Sequence, residues 1–543
     1  MLARFGMLVF EVKSEFPFFS LPNHPVYLDS AATTQKPRVL IDAYSRLLCQ
    51  GVANVHRSAY RLANQWTDAF EQARQTVADF LGANASSMVW TRGTTESINL
   101  VARCFVEPML KPGDRIAVSL LEHHANLVPW QQVCQRTGAE LVFLPLNVEH
   151  QLDVSKLDEF FSTPVRFVAV TAMSNALGIV NDIPAIVAAA HRHQAKVLVD
   201  AAQYVAHQPI HVRAWDCDFL AFSAHKLYGP TGLGVLYGKP QLLASMLPWL
   251  TGGEMVTSVQ QFSAEFQQAP LKFEAGTPAF IEAVAFAEVL RWLGTLDRQA
   301  FHAQEQKLLQ MLDKGLDDIR HVHRLIKVGE RAAISSFVVE AWHASDVASL
   351  LNERNIALRA GQLCAMPLLA RLQQPALLRV SLGLYSDEND INALLNTLND
   401  LSASTKSTAQ VNDNPISLMQ QARSWEQKNR VLMQLGKQWS LPVPVPHHDS
   451  NQVQGCDSST WLVGQYQQQQ WTFAIDSEAR IIRGIGALLS TLVNDKSSQQ
   501  ILAMDLAAEL NQLGLTAHLS ASRNNGVRAI IERIRQQVAA EVS

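Results

Sequence analysis

"FLAFSAHKLYGPTGLGVLYG", residues 219–238, begins as an apolar strand-like run and ends that run on Ser223, His225 and Lys226. A lysine that closes a buried strand demands an explanation. Burying an ammonium is costly unless it is neutralised or bonded, and a Schiff base removes the cost. Upstream, "SMVWT" (87–91) precedes the helical "TESINLVARCF", and "DRIAVSLLEHH" precedes "ANLVPWQQVCQRTG". "RFVAVTAMSN" precedes "IPAIVAAAHRHQ", and "KVLVDAAQ" follows. Near-continuous apolar strands alternating with amphipathic helices predict a mostly parallel sheet covered on both faces over residues 70–290.

Ligands of such sheets sit at the carboxyl ends of the strands. There the sequence puts Gly93, Thr94 and Thr95, then His123 and His124, then Asn175, then Asp200 and Gln203, and finally Ser223, His225 and Lys226. Each has a bland reading alone: a threonine before a helix is usually an N-cap, and a strand-end aspartate commonly is too. Together they describe pyridoxal phosphate chemistry. That cofactor needs a lysine, an acid for its ring nitrogen, an anion cradle and a flat group over its ring. Lys226, Asp200, the Thr94/Thr95 turn with Ser223 and His225, and His123 match those needs in turn. A helix start with free N–H groups and hydroxyls suits a phosphate.

The chain has 543 residues, 48% of them apolar, which predicts two or three domains with sizeable cores. A net charge of −4 gives no reason to expect nucleic-acid or anionic-membrane binding. No apolar run reaches the roughly 18–20 residues of a spanning helix. "MLARFGMLVFEVKSEF" faintly resembles a signal peptide, but Glu11, Lys13 and Glu15 follow its short apolar patch without a cleavage site. The reading is cytoplasmic, with Met7 an alternative start. Cysteines 49, 104, 134, 217, 364 and 456 show no ligand-like spacing, so neither a disulfide framework nor a metal site is expected. The first four lie in helix- or strand-like apolar contexts and read as packing residues. Cys364 and Cys456 do not.

"YLDSAATTQKP", "NVHRSAYRLA", "TRGTTESINLVA", "EHHANLVPW", "AFSAHKLYGPTGLGVLYG", "FEAGTP" and "RAGQLCAMPLL" resemble the class V aminotransferase-like cysteine desulfurases of the CsdA/SufS type over residues 25–400. The resemblance implies the type I fold of pyridoxal-phosphate-dependent transferases, an α/β domain with a mostly parallel sheet plus a smaller α+β domain. It implies that Lys226 holds the cofactor, Asp200 pairs with the ring nitrogen, and His123 stacks on the ring. Asn175 and Gln203 would face the phenolic oxygen, with Asn175 also near substrate. Thr94, Thr95, Ser223 and His225 would hold the phosphate, with Thr277 reaching it from the partner subunit of a homodimer. Arg379 in "LLRVSLGLYS" matches the arginine that takes the substrate carboxylate, a role suited to its forked guanidinium. Cys364 would take sulfur from L-cysteine as a persulfide and release alanine, which asks for a mobile loop. Relatives commonly carry histidine where this chain has Leu363, so a thiolate-stabilising group is missing. Selenocysteine lyase, cysteine sulfinate desulfinase or kynureninase-like activity, and a non-catalytic sulfur-trafficking scaffold, are the alternatives.

"SASTKSTAQVNDNP" (402–415) has the composition of a flexible linker. It divides a desulfurase part, 1–290 for the N-terminal segment with the large domain and 291–401 for the small one, from a tail over 416–543. In the tail, "ISLMQQARSWEQKNRVLMQLGKQW" reads as helix and "STWLVGQYQQQQWTFAIDS" as two strands around a polar turn, before three helical stretches. "VQGCDSSTWLVG" and "WTFAIDSEARIIRGIGALL" resemble the SufE/CsdE sulfur-acceptor proteins, which implies a separate α+β domain. By that resemblance Cys456 is the acceptor thiol, with Asp476 and Arg483 in the flanking segment; the charge of Asp457 beside it would raise the thiol pKa. The sulfur would go on to an iron–sulfur scaffold or a tRNA-modifying enzyme. Whether Cys456 meets Cys364 of its own chain or of a partner stays open in the sequence.

Overall fold

The computed structural model describes residues 12–57, 59–403, 414–455, 458–515, 519 and 521–542. Its central sheet has seven strands: β1 Met88–Thr91, β2 Arg115–Val118, β3 Glu140–Phe143, β4 Phe167–Thr171, β5 Lys196–Asp200, β6 Phe219–Ser223 and β7 Gly234–Gly238. Their order is β1-β7-β6-β5-β4-β2-β3. Strands β2 to β6 run parallel, whereas β7 is antiparallel to both β1 and β6. Strands β4, β6 and β7 are buried at every position, as covering on both faces requires. Val197, Val199, Leu220 and Phe222 join one apolar cluster, while Leu198, Phe219 and Ala221 join the other. The strand's period of two thus divides one run of apolar residues between two cores.

A second sheet, antiparallel and ordered β8-β9-β11-β10, contains β8 Val322–Arg324, β9 Ile334–Val339, β10 Arg359–Gly361 and β11 Leu377–Ser381. The Ala344–Glu353 helix links β9 to β10 and packs against this sheet. The N-terminal segment reaches this domain as well: Val26–Tyr27 pairs in parallel with Ile356–Ala357. Phe16 is fully buried among Tyr228, Trp292 and Tyr385.

The tail builds its own core from residues such as Leu432, Leu462, Phe473, Ile485 and Ile534. Its hairpin pairs β12 Thr460–Gln467 with β13 Gln470–Ser477 around Gln468 and Gln469, both at positive φ. That is the conformation a two-residue turn between twisted strands needs. The helical run expected at 416–439 is two helices, Pro415–Gln421 and Trp425–Gln438. Ser424 accepts from the Gln427 N–H and Gln427 from the Ser424 N–H, a capping box that restarts the chain there. Among the described residues the end of the chain likewise carries four helices rather than three, Arg480–Val493, Ser498–Ala503, Leu506–Gln512 and Ala521–Val542. Most of the expected linker, residues 404–413, lies outside the described residues, and 402–403 still belong to the Glu388–Ala403 helix. Among the described residues no helix is long and apolar enough to cross a membrane.

The Trp425–Gln438 and Arg480–Val493 helices cross where Gly436 and Gly484 face the other helix's backbone. A Cβ on either glycine would collide with it, Gly436 with the Arg480 carbonyl and Gly484 with that of Leu432. Gly484→Ala is therefore expected to destabilise the tail by about 1–3 kcal/mol, the usual cost of overpacking. A denaturant midpoint for the tail unchanged from wild type would contradict this.

Candidate active site

The carboxyl ends of β1, β2, β4, β5 and β6 and the loop after β10 line a cleft of about 330 Å³. Lys226 closes the Ala224–Lys226 turn after β6. Part of its side chain faces the cleft, yet protein surrounds its amine. Burial lowers its pKa to about 8 against the opposing pull of Asp200, while Arg379 and Arg359 push it the same way as burial. Asp200, at the end of β5, is buried and accepts the Ala202 N–H at 2.9 Å. Burial raises its pKa, and that hydrogen bond and Lys226 oppose the shift.

Two histidines sit in the same field. His123 is held down to about 4 by burial, then by Lys226, His124 and Arg379. Its Nδ1 accepts the Ala125 N–H at 3.0 Å, so the neutral ring carries its proton on Nε2. His225 is likewise near 4 through burial, Lys226 and Lys36, with Nδ1 3.1 Å from Thr33 Oγ1. At the Thr94–Val101 helix start, Ser223 Oγ accepts the Thr94 N–H at 2.8 Å and lies 2.7 Å from Thr94 Oγ1. Thr95 is exposed at the cleft mouth. Gln203 Nε2 donates to the Ala31 carbonyl at 2.8 Å.

Asn175 Nδ2 donates to the Leu363 carbonyl at 2.7 Å, and its buried Oδ1 has no partner among the described residues. Arg379 is 3% exposed; Nη1 donates to the Asn175 carbonyl and Nη2 to Asp29 Oδ1, while Nε has no partner among those residues. Burial lowers its pKa and Asp29 resists that.

Cys364 is exposed at the cleft rim, and both it and Leu363 adopt left-handed backbone, at φ 52° and 55°. The Cys364 carbonyl accepts the His124 N–H at 2.8 Å, and His124 Nε2 accepts the Met366 N–H at 3.2 Å. The thiol-bearing loop of the small domain is thereby tied to the large domain on both sides of the cysteine.

Thr277 is exposed and does not line this cleft in its own chain. Cys456 and Asp457 lie outside the described residues. Asp476 and Arg483 form an ion pair at 2.8 Å, and His447 joins it at 2.9 Å while stacking on Trp461. Of the cysteines read as packing residues, 104, 134 and 217 are buried, but Cys49 is exposed as the last residue of the Arg38–Cys49 helix. An amphipathic helix ends there with its terminal turn facing solvent, which apolar neighbours in sequence do not reveal.

Three residues of the site escaped the sequence reading. Asp29 bridges Arg379 and Arg359, at 2.9 and 3.0 Å. Glu122, fully buried before His123, accepts from Ser119 Oγ, Asn126 Nδ2 and the Thr171 N–H, and burial raises it to about 8. A carboxylate closing "VYLD" and an arginine opening "RAGQLC" were the available signals for the first pair.

An aminotransferase class-V family model matches residues 26–394, and a SufE model, an Fe-S metabolism associated domain, matches 413–538. The cysteine desulfurase CsdA of Escherichia coli K12 is 43% identical over 389 residues, covering 72% of this chain and 96% of that one. A probable cysteine desulfurase of Vibrio cholerae is 41% identical over 388 residues, with 71% and 96% covered. The crystal structure of Escherichia coli CsdA in its S-sulfonic acid form superposes with a TM-score of 0.69 at 41% identity, covering 73% of this chain and 99% of that one. By fold, site and these matches together, the chain belongs to the class-V aminotransferase family as a cysteine desulfurase, with a SufE domain joined behind it.

Proposed function

We propose that the cleft converts L-cysteine to L-alanine, leaves the sulfur as a persulfide on Cys364, and passes it to Cys456 of the SufE domain. One observation carries the reading: an exposed thiol is pinned at the rim of a cleft whose floor holds a buried lysine, an aspartate and an incompletely bonded arginine. The residues fit pyridoxal 5'-phosphate. The unpartnered Asn175 Oδ1 and the hydroxyl-lined helix start at Thr94 are what a polar, anionic ring compound would satisfy. When bound, that cofactor supplies an electron sink for carbanion chemistry at the substrate's Cα. Lys226 would hold it, Asp200 would face its ring nitrogen, and His123 would cover its face. Asn175 and Gln203 would bond its phenolic oxygen, and Thr94, Thr95, Ser223 and His225 its phosphate.

Arg379 receives the substrate carboxylate, its fork kept in place by Asp29. Lys226 Nζ, neutral above a pKa of about 8, takes the α-proton. Cys364 Sγ then attacks the substrate sulfur. The S–S bond forms as the Cβ–S bond breaks, and the electron pair stays on carbon, which is protonated to give alanine. Leu363 offers no proton acceptor beside the thiol, so attack is slower than in relatives with histidine there.

Thr277 completes the phosphate site of a neighbouring chain in a homodimer. Supporting this, Leu247, Trp249, Val259 and Phe262 expose large apolar surfaces on the segment preceding it. The division into large domain, small domain, linker and SufE domain stands, with its bounds moved from 290 to the end of the Phe280–Leu293 helix and from 402–415 to the stretch between the Glu388–Ala403 helix and Pro415. The compartment is cytoplasmic, where thiols stay reduced. The downstream acceptor is an iron–sulfur scaffold or tRNA-modifying enzyme, with no direct nucleic-acid or membrane contact.

Purified protein given L-cysteine should release alanine and carry persulfide on both thiols by mass spectrometry, and Cys364→Ser should abolish both. Alanine without sulfur on Cys456 would refute the relay. Asp29→Ala, which unties Arg379, is expected to raise KM for L-cysteine roughly tenfold with kcat changed less than about twofold, consistent with the loss of one charge-assisted hydrogen bond. An equal fall in kcat would instead place Asp29 in the transition state. Uptake of pyridoxal phosphate by the apoprotein needs a neutral Lys226, so its rate should rise with pH to a midpoint near 8. Asp200 holds that midpoint up, and Asp200→Asn should therefore shift it to lower pH; an upward shift would contradict the assignment.

A further inference from the structure

The desulfurase part carries a built dock for its own SufE domain, and the dock sits at the Cys364 end of the small sheet. Asp346, in the first turn of the Ala344–Glu353 helix, is completely buried. Its Oδ2 accepts the Arg480 N–H at 2.7 Å and its Oδ1 accepts the Ile481 N–H at 3.3 Å. These residues open the Arg480–Val493 helix, whose N-cap, Ala479, has no side chain to cap with. The first donors of a SufE-domain helix are thus satisfied from the other domain. The Arg480 guanidinium lies 3.8 Å over the Trp342 ring and donates to the Ala341 carbonyl. Arg523 donates to the Ser345 carbonyl and Ser349 Oγ, and Asn429 to Glu353 Oε1. Three helices of one domain converge on a single helix of the other and the turn before it, through hydrogen bonds in which one partner of each carries charge.

The strand registers fix where this dock lies. Phe337 pairs with Leu378 and Leu377 with Gly361, so the end of β9, the start of β11 and the end of β10 share one edge of the sheet. Trp342 follows β9, and Cys364 follows β10. Both strands flank β11, which puts them two strand spacings, about 10 Å, apart. On the SufE side, Val453 N–H bonds the Thr460 carbonyl and Glu478 N–H the Ser459 carbonyl. Ser459, just after residues 456–457, is therefore fastened to the segment that leads into Arg480, and Val453, before them, is tied to it through Thr460, which pairs with Ser477. The dock grips the part of the SufE domain from which its acceptor loop arises, next to the strand end that carries Cys364.

We infer that sulfur passes from Cys364 to Cys456 within one chain, with Asp346 as the anchor that holds the SufE domain for the step. This rests on the relay reading above. Chemically, the Cys456 thiolate attacks the outer sulfur of the Cys364 persulfide. A Cys456 Sγ–S bond forms, the Cys364 Sγ–S bond breaks, and Cys364 leaves with the pair and takes up the proton. Nothing is oxidised or reduced overall.

Two chains, Cys364→Ser and Cys456→Ser, are co-expressed with different tags so that any oligomer contains both. The purified proteins are given pyridoxal phosphate and L-cysteine, and persulfides are mapped by mass spectrometry. Sulfur should accumulate on Cys364 of the second chain, while Cys456 of the first acquires it at under about a tenth of the wild-type rate at every protein concentration. Labelling at a comparable rate, or at one that rises with concentration, overturns transfer within the chain. Asp346→Ala should slow single-turnover transfer to Cys456 at least tenfold while alanine release with an added thiol reductant stays at the wild-type rate; unslowed transfer overturns the dock. Should that variant lose alanine release as well, Arg480→Ala, which removes the guanidinium from the Trp342 ring and the Ala341 carbonyl, tests the same dock from the SufE side, with the same two outcomes. Absence of alanine from the wild type itself would instead sink the desulfurase reading.

Discussion

An ammonium and a carboxylate buried in one cleft set the conditions for everything around them. Lys226 and Asp200 come from neighbouring parallel strands, so the sheet's connectivity alone delivers them to the same end. Neither is stable there without compensation, and each shifts toward neutrality under burial while pulling the other back. Burial, reinforced by the Lys226 charge, keeps His123 and His225 uncharged, with His124 and Arg379 adding to it at His123 and Lys36 at His225. Neutral imidazoles can cover an aromatic ring or donate to a phosphate without adding a further cation to a site that already holds several.

The same cleft shapes the cysteine loop. Two consecutive residues in left-handed backbone store on the order of 1–3 kcal/mol each. Against this stand the bonds from His124 N–H and Asn175 Nδ2 to the loop carbonyls, each worth about 0.5–1.5 kcal/mol net. The bonds offset only part of that strain. A loop so poised is held in one place at rest, yet little is lost when it leaves. That reconciles a pinned thiol with the mobility that carrying sulfur away requires.

Most of the large domain was legible because its strands are buried on both faces, which writes them as unbroken apolar runs. The strand-end chemistry was legible for the same reason: polar residues stand out directly after such runs. Asp29 was not, because its meaning lies in two arginines more than 300 residues away, and only the fold brings them together. Glu122 was hidden beside the more conspicuous His123, and nothing local shows that Ser119, Asn126 and Thr171 close around it. In the tail, apolar periodicity continued across Ser424 and concealed a helix break that a capping box enforces.

The Asp346 contact belongs to the same class of long-range constraint, and its chemistry suits a joint that must open. The short covalent link between the domains supplies a local concentration near the millimolar range, so encounter needs no strong interface. Orientation does. An apolar patch of similar extent would hold the domain more indiscriminately, and would be a hazard when exposed. A carboxylate and two helix-terminal N–H groups, by contrast, each find water when separated, so undocking leaves no unsatisfied group on either side. Their directionality still fixes how the Arg480–Val493 helix enters the joint. Fusion and dock thus act on different quantities. The covalent link sets how often the domains meet, and Asp346 sets the pose in which they do.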